Sequence, residues 1–138
     1  MTVTANSIIT PQTPYSATAV ATTAETSFQS PTNVVTLVDD AANTNGVRLT
    51  NITAIARAGV STNPINCQIY KKVGTTYTLI DSATIAVGTP SASVANQKAD
   101  FGYSEALPMI LSAGVGLSVA IGTTTANGVV FRAQGAAY

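Results

Sequence analysis

Val115-Gly116-Leu117-Ser118-Val119-Ala120-Ile121 is the stretch that decides the fold. Its larger apolar residues stand at 115, 117, 119 and 121, with Gly, Ser and Ala between them. A period of two places one set of side chains on one face of a strand and the other set on the opposite face, whereas a helical stripe recurs at three and four. Ser112-Ala113-Gly114 turns the chain into this strand, and Thr123 to Asn127 with Gly128 turns it out again. Val129, Phe131 and Ala133 then alternate against Arg132 and Gln134, which predicts a closing strand.

Upstream the same signals recur. Asn33 to Val38 is a short apolar run ending in Asp39-Asp40. Asn43-Thr44-Asn45-Gly46 follows it, and Asn-Gly is a strong hairpin signal. Val47 to Arg57 predicts a long strand. Val47 and Leu49 share one face while Ile52 and Ala54 fall on the other, so a bulge is expected near Thr50. After a loop from Gly59 to Pro64, Ile65 to Lys71 alternates cleanly. Val73-Gly74-Thr75 turns the chain, and Thr76 to Ile85 is its partner strand. Residues 86–99 read as a long polar loop, and Met109 to Leu111 as a brief strand. Seven or eight strands, with turns every ~8–12 residues and no helical stripe, predict an all-β, single-domain antiparallel β-sandwich of jelly-roll type.

The first 32 residues differ from the rest. They are rich in Thr, Ala, Ser and Pro, and Glu25 is their one charge. Pro11 and Pro14 favour extended chain. The division expected is an extended arm over 1–32, with 15–32 as an arm or an edge strand, and a sandwich domain over 33–138. Such an arm suits strand addition to a neighbouring subunit.

Charged residues make up only 9% of the chain, against roughly 25% in an average soluble domain. Thr, Ser, Asn and Gln replace them, and β-branched Thr favours strands. The formal net charge is zero, so repulsion does little to keep copies apart. That balance leaves no basic footprint for nucleic acid. No apolar run reaches the ~18 residues of a membrane span, and Met1 to Asn6 lacks the features of a signal peptide. Cys67 is the single cysteine. It lies in phase with Ile65 and Ile69, so a buried thiol and assembly in a reducing cytoplasm are expected.

The chain contains no histidine, which removes Ser-His-Asp and Cys-His nucleophilic machinery and the usual soft-ligand metal sites. Asp39-Asp40, before a turn, is explained by turn chemistry. Asp100-Phe101-Gly102 matches a kinase tripeptide without the remaining kinase motifs. Gly122 to Gly128 lacks the lysine of a phosphate loop. Asn51-Ile52-Thr53 matches a glycosylation sequon. Tyr15, Tyr70, Tyr77, Tyr103 and Tyr138 could stack on sugar rings but form no cluster in sequence. No catalytic, cofactor-binding or metal-binding residue is assigned, and the chain is expected to be no enzyme.

Several segments carry a resemblance: Tyr77 to Ala83, Ala99 to Ser104, Leu111 to Gly122 and Gly128 to Gly135. Across about residues 46–138 the chain resembles a group of small tailed-phage and prophage structural proteins. The resemblance implies a virion component, a capsid decoration ("cement") protein with a jelly-roll core that forms homotrimers and docks on the major capsid protein. A tail, baseplate or fibre component is the alternative, and a carbohydrate-binding module a more distant one.

Overall fold

The computed structural model describes residues 10–138. Alternating burial along the sequence produces nine strands among these residues: β1 (Thr13–Ala21), β2 (Val35–Val38), β3 (Val47–Ala56), β4 (Ile65–Val73), β5 (Thr76–Ile85), β6 (Lys98–Asp100), β7 (Met109–Leu111), β8 (Val115–Ile121) and β9 (Val129–Ala137). The described residues contain no helix, so none is long and apolar enough to cross a membrane.

The strands form two antiparallel sheets packed face to face, the expected sandwich. Sheet A has the order β1-β9-β3-β6, with β7 also pairing β3; sheet B has the order β2-β8-β4-β5. Ala19, Ala21, Leu49, Ile52, Ala54, Phe131 and Ala133 of sheet A meet Leu37, Ile65, Cys67, Ile69, Ile85, Leu117, Val119 and Ile121 of sheet B in one core. Each large side chain among them contributes about 1.5–3 kcal/mol by leaving water.

The bulge falls where the phase change places it. Leu49 pairs with Gly135 and Asn51 with Gln134, leaving Thr50 as the extra residue. At that point the β3 backbone crowds β9: a Cβ on Gly135 would land on the Arg48 carbonyl oxygen. The β4–β5 hairpin is also as expected. Val73 pairs with Thr76, and the two-residue turn has Gly74 at φ +61°, the backbone that a type II′ turn requires at its first central position.

Asn45-Gly46 makes a turn but not a hairpin. The Asn43 side chain is buried. Its Nδ2 donates to the carbonyls of Ser112 and Val115, at 3.0 and 2.8 Å. Its Oδ1 accepts from the Gly46 amide at 2.9 Å. These bonds tie the turn to the β7–β8 connection, so it carries the chain from sheet B to sheet A, and β2 and β3 never pair. Residues 86–99, expected as one polar loop, contain β6 at their end. Three residues with Lys98 and Asp100 pointing to solvent give no apolar alternation to read.

Candidate docking surface

Four connections gather at one end of the sandwich: 22–34, 57–64, 86–97 and 122–128. Backbone bonds interlock them: Val60 and Gly88 exchange two bonds of 2.9 Å, the Thr125 amide donates to the Thr22 carbonyl at 2.9 Å, and the Arg57 amide donates to the Gly128 carbonyl at 3.2 Å. The Ala24 amide donates to Thr124 Oγ1 at 2.9 Å, and Asn96 Nδ2 donates to the Ala56 carbonyl at 2.9 Å. Loops tied in this way lose little freedom when a partner covers them.

Glu25 is the keystone of the first of these connections and is 2% exposed. Its Oε1 accepts from the Ser27 amide at 2.7 Å. Its Oε2 accepts from the amides of Thr32 and Asn33, both at 2.6 Å. Burial acts to raise the pKa of this carboxyl, but the surrounding amides outweigh it and hold the group below its ordinary value. The backbone of Glu25 fastens the segment to sheet B. Its amide donates to the Ile121 carbonyl at 2.7 Å, and its carbonyl accepts from Gln68 Nε2 at 3.1 Å. Tyr70 closes the chain by donating its hydroxyl proton to Gln68 Oε1 at 2.6 Å. Gln68, Tyr70 and Ser118, which lie on the face of sheet B turned away from the core, are thereby buried. Sequence reasoning passed over Glu25; its one signal was to be the sole charge in the first 32 residues.

Charge is distributed unevenly over the molecule. Among the residues of these four connections only Glu25 and Arg57 are charged, and Glu25 is buried. Phe28, Val87 and Val94 reach solvent there, at 45%, 48% and 48% exposure. Val20, Val130, Ile55 and Lys98 form one register row on the outer face of sheet A, next to this end, with Val20 and Ile55 exposed. Most of the remaining charges lie elsewhere. Lys72 pairs with Asp40 at 3.0 Å, which lowers the Asp40 pKa and raises that of Lys72. Arg48 donates to Glu105 Oε2 at 2.8 Å across a groove of about 430 Å³.

The residues singled out in the sequence are dispersed. Asp39 Oδ1 caps the turn by accepting from the Ala41 amide at 3.0 Å. Asp100 accepts from the Gly102 amide at 2.8 Å, and Phe101 packs on the core, 6.3 Å from the Phe131 ring centre. Gly122 to Gly128 is the β8–β9 connection. Asn51 is half-buried on β3, its Oδ1 without a partner. The Cys67 thiol is in the core, where burial pushes its pKa up to about 12. Tyr70 is buried, and Tyr103 donates to Asp81 Oδ2 at 2.7 Å. Tyr15 and Tyr138 alone come together. They line a hollow of about 170 Å³ at the opposite end of the sandwich with Asp39, Thr44 and Asn45. No group of three or more His, Cys, Asp or Glu placed to hold a metal occurs among the described residues. Compared with known proteins, the chain matches no family profile and no curated protein by sequence.

Proposed function

We propose that this chain is a structural subunit of a tailed-phage virion that decorates and stabilises the capsid by docking the end formed by residues 22–34, 57–64, 86–97 and 122–128 on major capsid protein subunits. The observation that carries the reading is the near-absence of charge from four interlocked connections that expose Phe28, Val87 and Val94. Depletion of charge marks the centre of protein interfaces, and an exposed ammonium or carboxylate buried there would cost desolvation. The strand order β1-β9-β3-β6 over β2-β8-β4-β5 supports the jelly-roll reading, an architecture that viral shell proteins use. Repetition over a shell makes modest single-site affinity effective.

The test is co-sedimentation with undecorated capsids. The triple variant Phe28→Asp/Val87→Asp/Val94→Asp, checked for an intact melting transition, loses capsid binding. Binding equal to that of the unaltered chain would overturn the docking face. Copy number in purified virions separates shell from tail, since hundreds of copies belong to a shell and a handful to a tail, baseplate or fibre. The hollow formed by Tyr15, Tyr138, Asp39 and Asn45 favours a second reading, a saccharide subsite. A glycan array without a binder would remove it.

A further inference from the structure

Each sheet has two edges, and an edge strand that leaves its amides and carbonyls unpaired invites another strand unless something blunts it. Three of the four edges here are blunted. β2 is four residues long with a register shift between Thr36 and Val38. β5 carries a bulge at Ile80, opposite Ile69 and Tyr70, and beside it Asp81, over which Tyr103 closes. The far edge of sheet A is split into β6 and β7, three residues each, with Lys98, Asp100 and Pro108 among and between them. β1 differs. It pairs with β9 at nine consecutive positions without a shift and contains no charged residue.

Hydrogen-bond parity shows what β1 offers. The Tyr138 amide bonds to the Gly46 carbonyl, so position 138 faces the β3 side of β9. By alternation, 136, 134, 132 and 130 also face β3, while 137, 135, 133, 131 and 129 face β1. Their partners on β1 are Thr13, Tyr15, Ala17, Ala19 and Ala21. Ser16, Thr18 and Val20 therefore direct amide and carbonyl to the edge that no other strand among the described residues covers. Pro14 stands at a position of the same parity, where its missing amide costs the β9 ladder nothing.

We infer that β1 is a self-association edge: two copies pair antiparallel through β1 about a twofold axis at Ala17, joining their A sheets. This goes beyond the docking proposal and does not rest on it. Centring on Ala17 overlaps all of β1 and sets Ser16 opposite Thr18 of the second copy, the positions whose bonding groups face outward. The amides of Ser16, Thr18 and Val20 then meet the carbonyls of Thr18, Ser16 and Pro14 of the second copy. Val20 thus lies opposite the one residue that has no amide to give. The axis brings Ala17 against Ala17, and no like charges meet, because the strand has none. Pairing consumes both open edges and leaves the blunted ones, so assembly stops at two.

Light scattering over a range of protein concentrations tests this, together with two variants. The unaltered chain gives twice 14.0 kDa. Ser16→Glu/Thr18→Glu sets carboxylates opposite each other across the axis and gives a monomer; Glu at 18 lies beside Arg132 of its own β9, so the fold survives. Ser16→Lys/Thr18→Glu sets opposite charges across the axis and restores the dimer. A monomer at every concentration, a trimer of the kind the resemblance implies, or a Ser16→Glu/Thr18→Glu variant that stays dimeric would each overturn the pairing.

Discussion

Glu25 is a carboxylate held by the backbone of its own loop, and its depressed pKa links that loop to pH. The folded state holds the charged form more tightly than the unfolded chain does. The stabilisation is present above the ordinary carboxylate range and is lost as pH falls through the folded value. Denaturant titrations between neutral and acid pH are expected to show falling stability, with a smaller part from Asp40 at its half-buried ion pair with Lys72. Glu25→Gln turns an amide donor toward backbone donors. It should cost about 1–3 kcal/mol at neutral pH and flatten the acid slope; an unchanged slope would remove Glu25 from this role. Gly135 is the other residue whose identity is forced. Gly135→Ala drives a methyl into the Arg48 carbonyl, and thermal unfolding should show a loss of about 1–3 kcal/mol. Neither residue was legible in advance. A Gly in an alternating strand and a lone Glu in a polar segment have no periodicity, and their roles arise from chain distant in sequence.

The elements whose residues alternate without interruption are those the sequence reveals. β8 and β9 show a strict period of two, and the change of phase at Thr50 gives the bulge in β3. β4 is covered on both faces at Gln68 and Tyr70, yet it alternates because Asn66, Gln68 and Tyr70 are polar, Asn66 facing solvent and the other two lying beneath a loop. What stays hidden is partnership. The Asn45-Gly46 turn has hairpin chemistry but joins different sheets, since Asn43 bonds to carbonyls around residues 112–115 that local sequence cannot indicate. The first 32 residues, an arm by composition, include β1, whose Ala19 and Ala21 enter the core; residues 1–9 of that arm lie outside the described residues. A deletion through residue 32 removes β1 and the Glu25 clamp together. It should abolish the cooperative melting transition, followed by circular dichroism, whereas a cut after residue 9 leaves every described strand in place and keeps the transition.

At the scale of the whole molecule, the proposed docking rests on connections 22–34, 57–64, 86–97 and 122–128 that carry only Glu25 and Arg57 as charges. A surface of that kind binds by excluding water and fitting shape, with little Coulombic steering. Capsid affinity should therefore change little between low and moderate salt, in contrast to a charge-driven contact, which weakens as the Debye length shrinks. Sedimentation across a salt series reads this directly, and a steep loss of binding with salt would assign the contact to the charged flanks. The position of β9 between β1 and β3 has a consequence for biosynthesis. The strand at the middle of sheet A is the last of the nine to leave the ribosome, so β1 has no partner strand, and β3 only the short β6 and β7, until residues 129–137 emerge. During translation those two strands are exposed to other nascent chains on the same message, and a chaperone that holds unpaired strands would act in that interval.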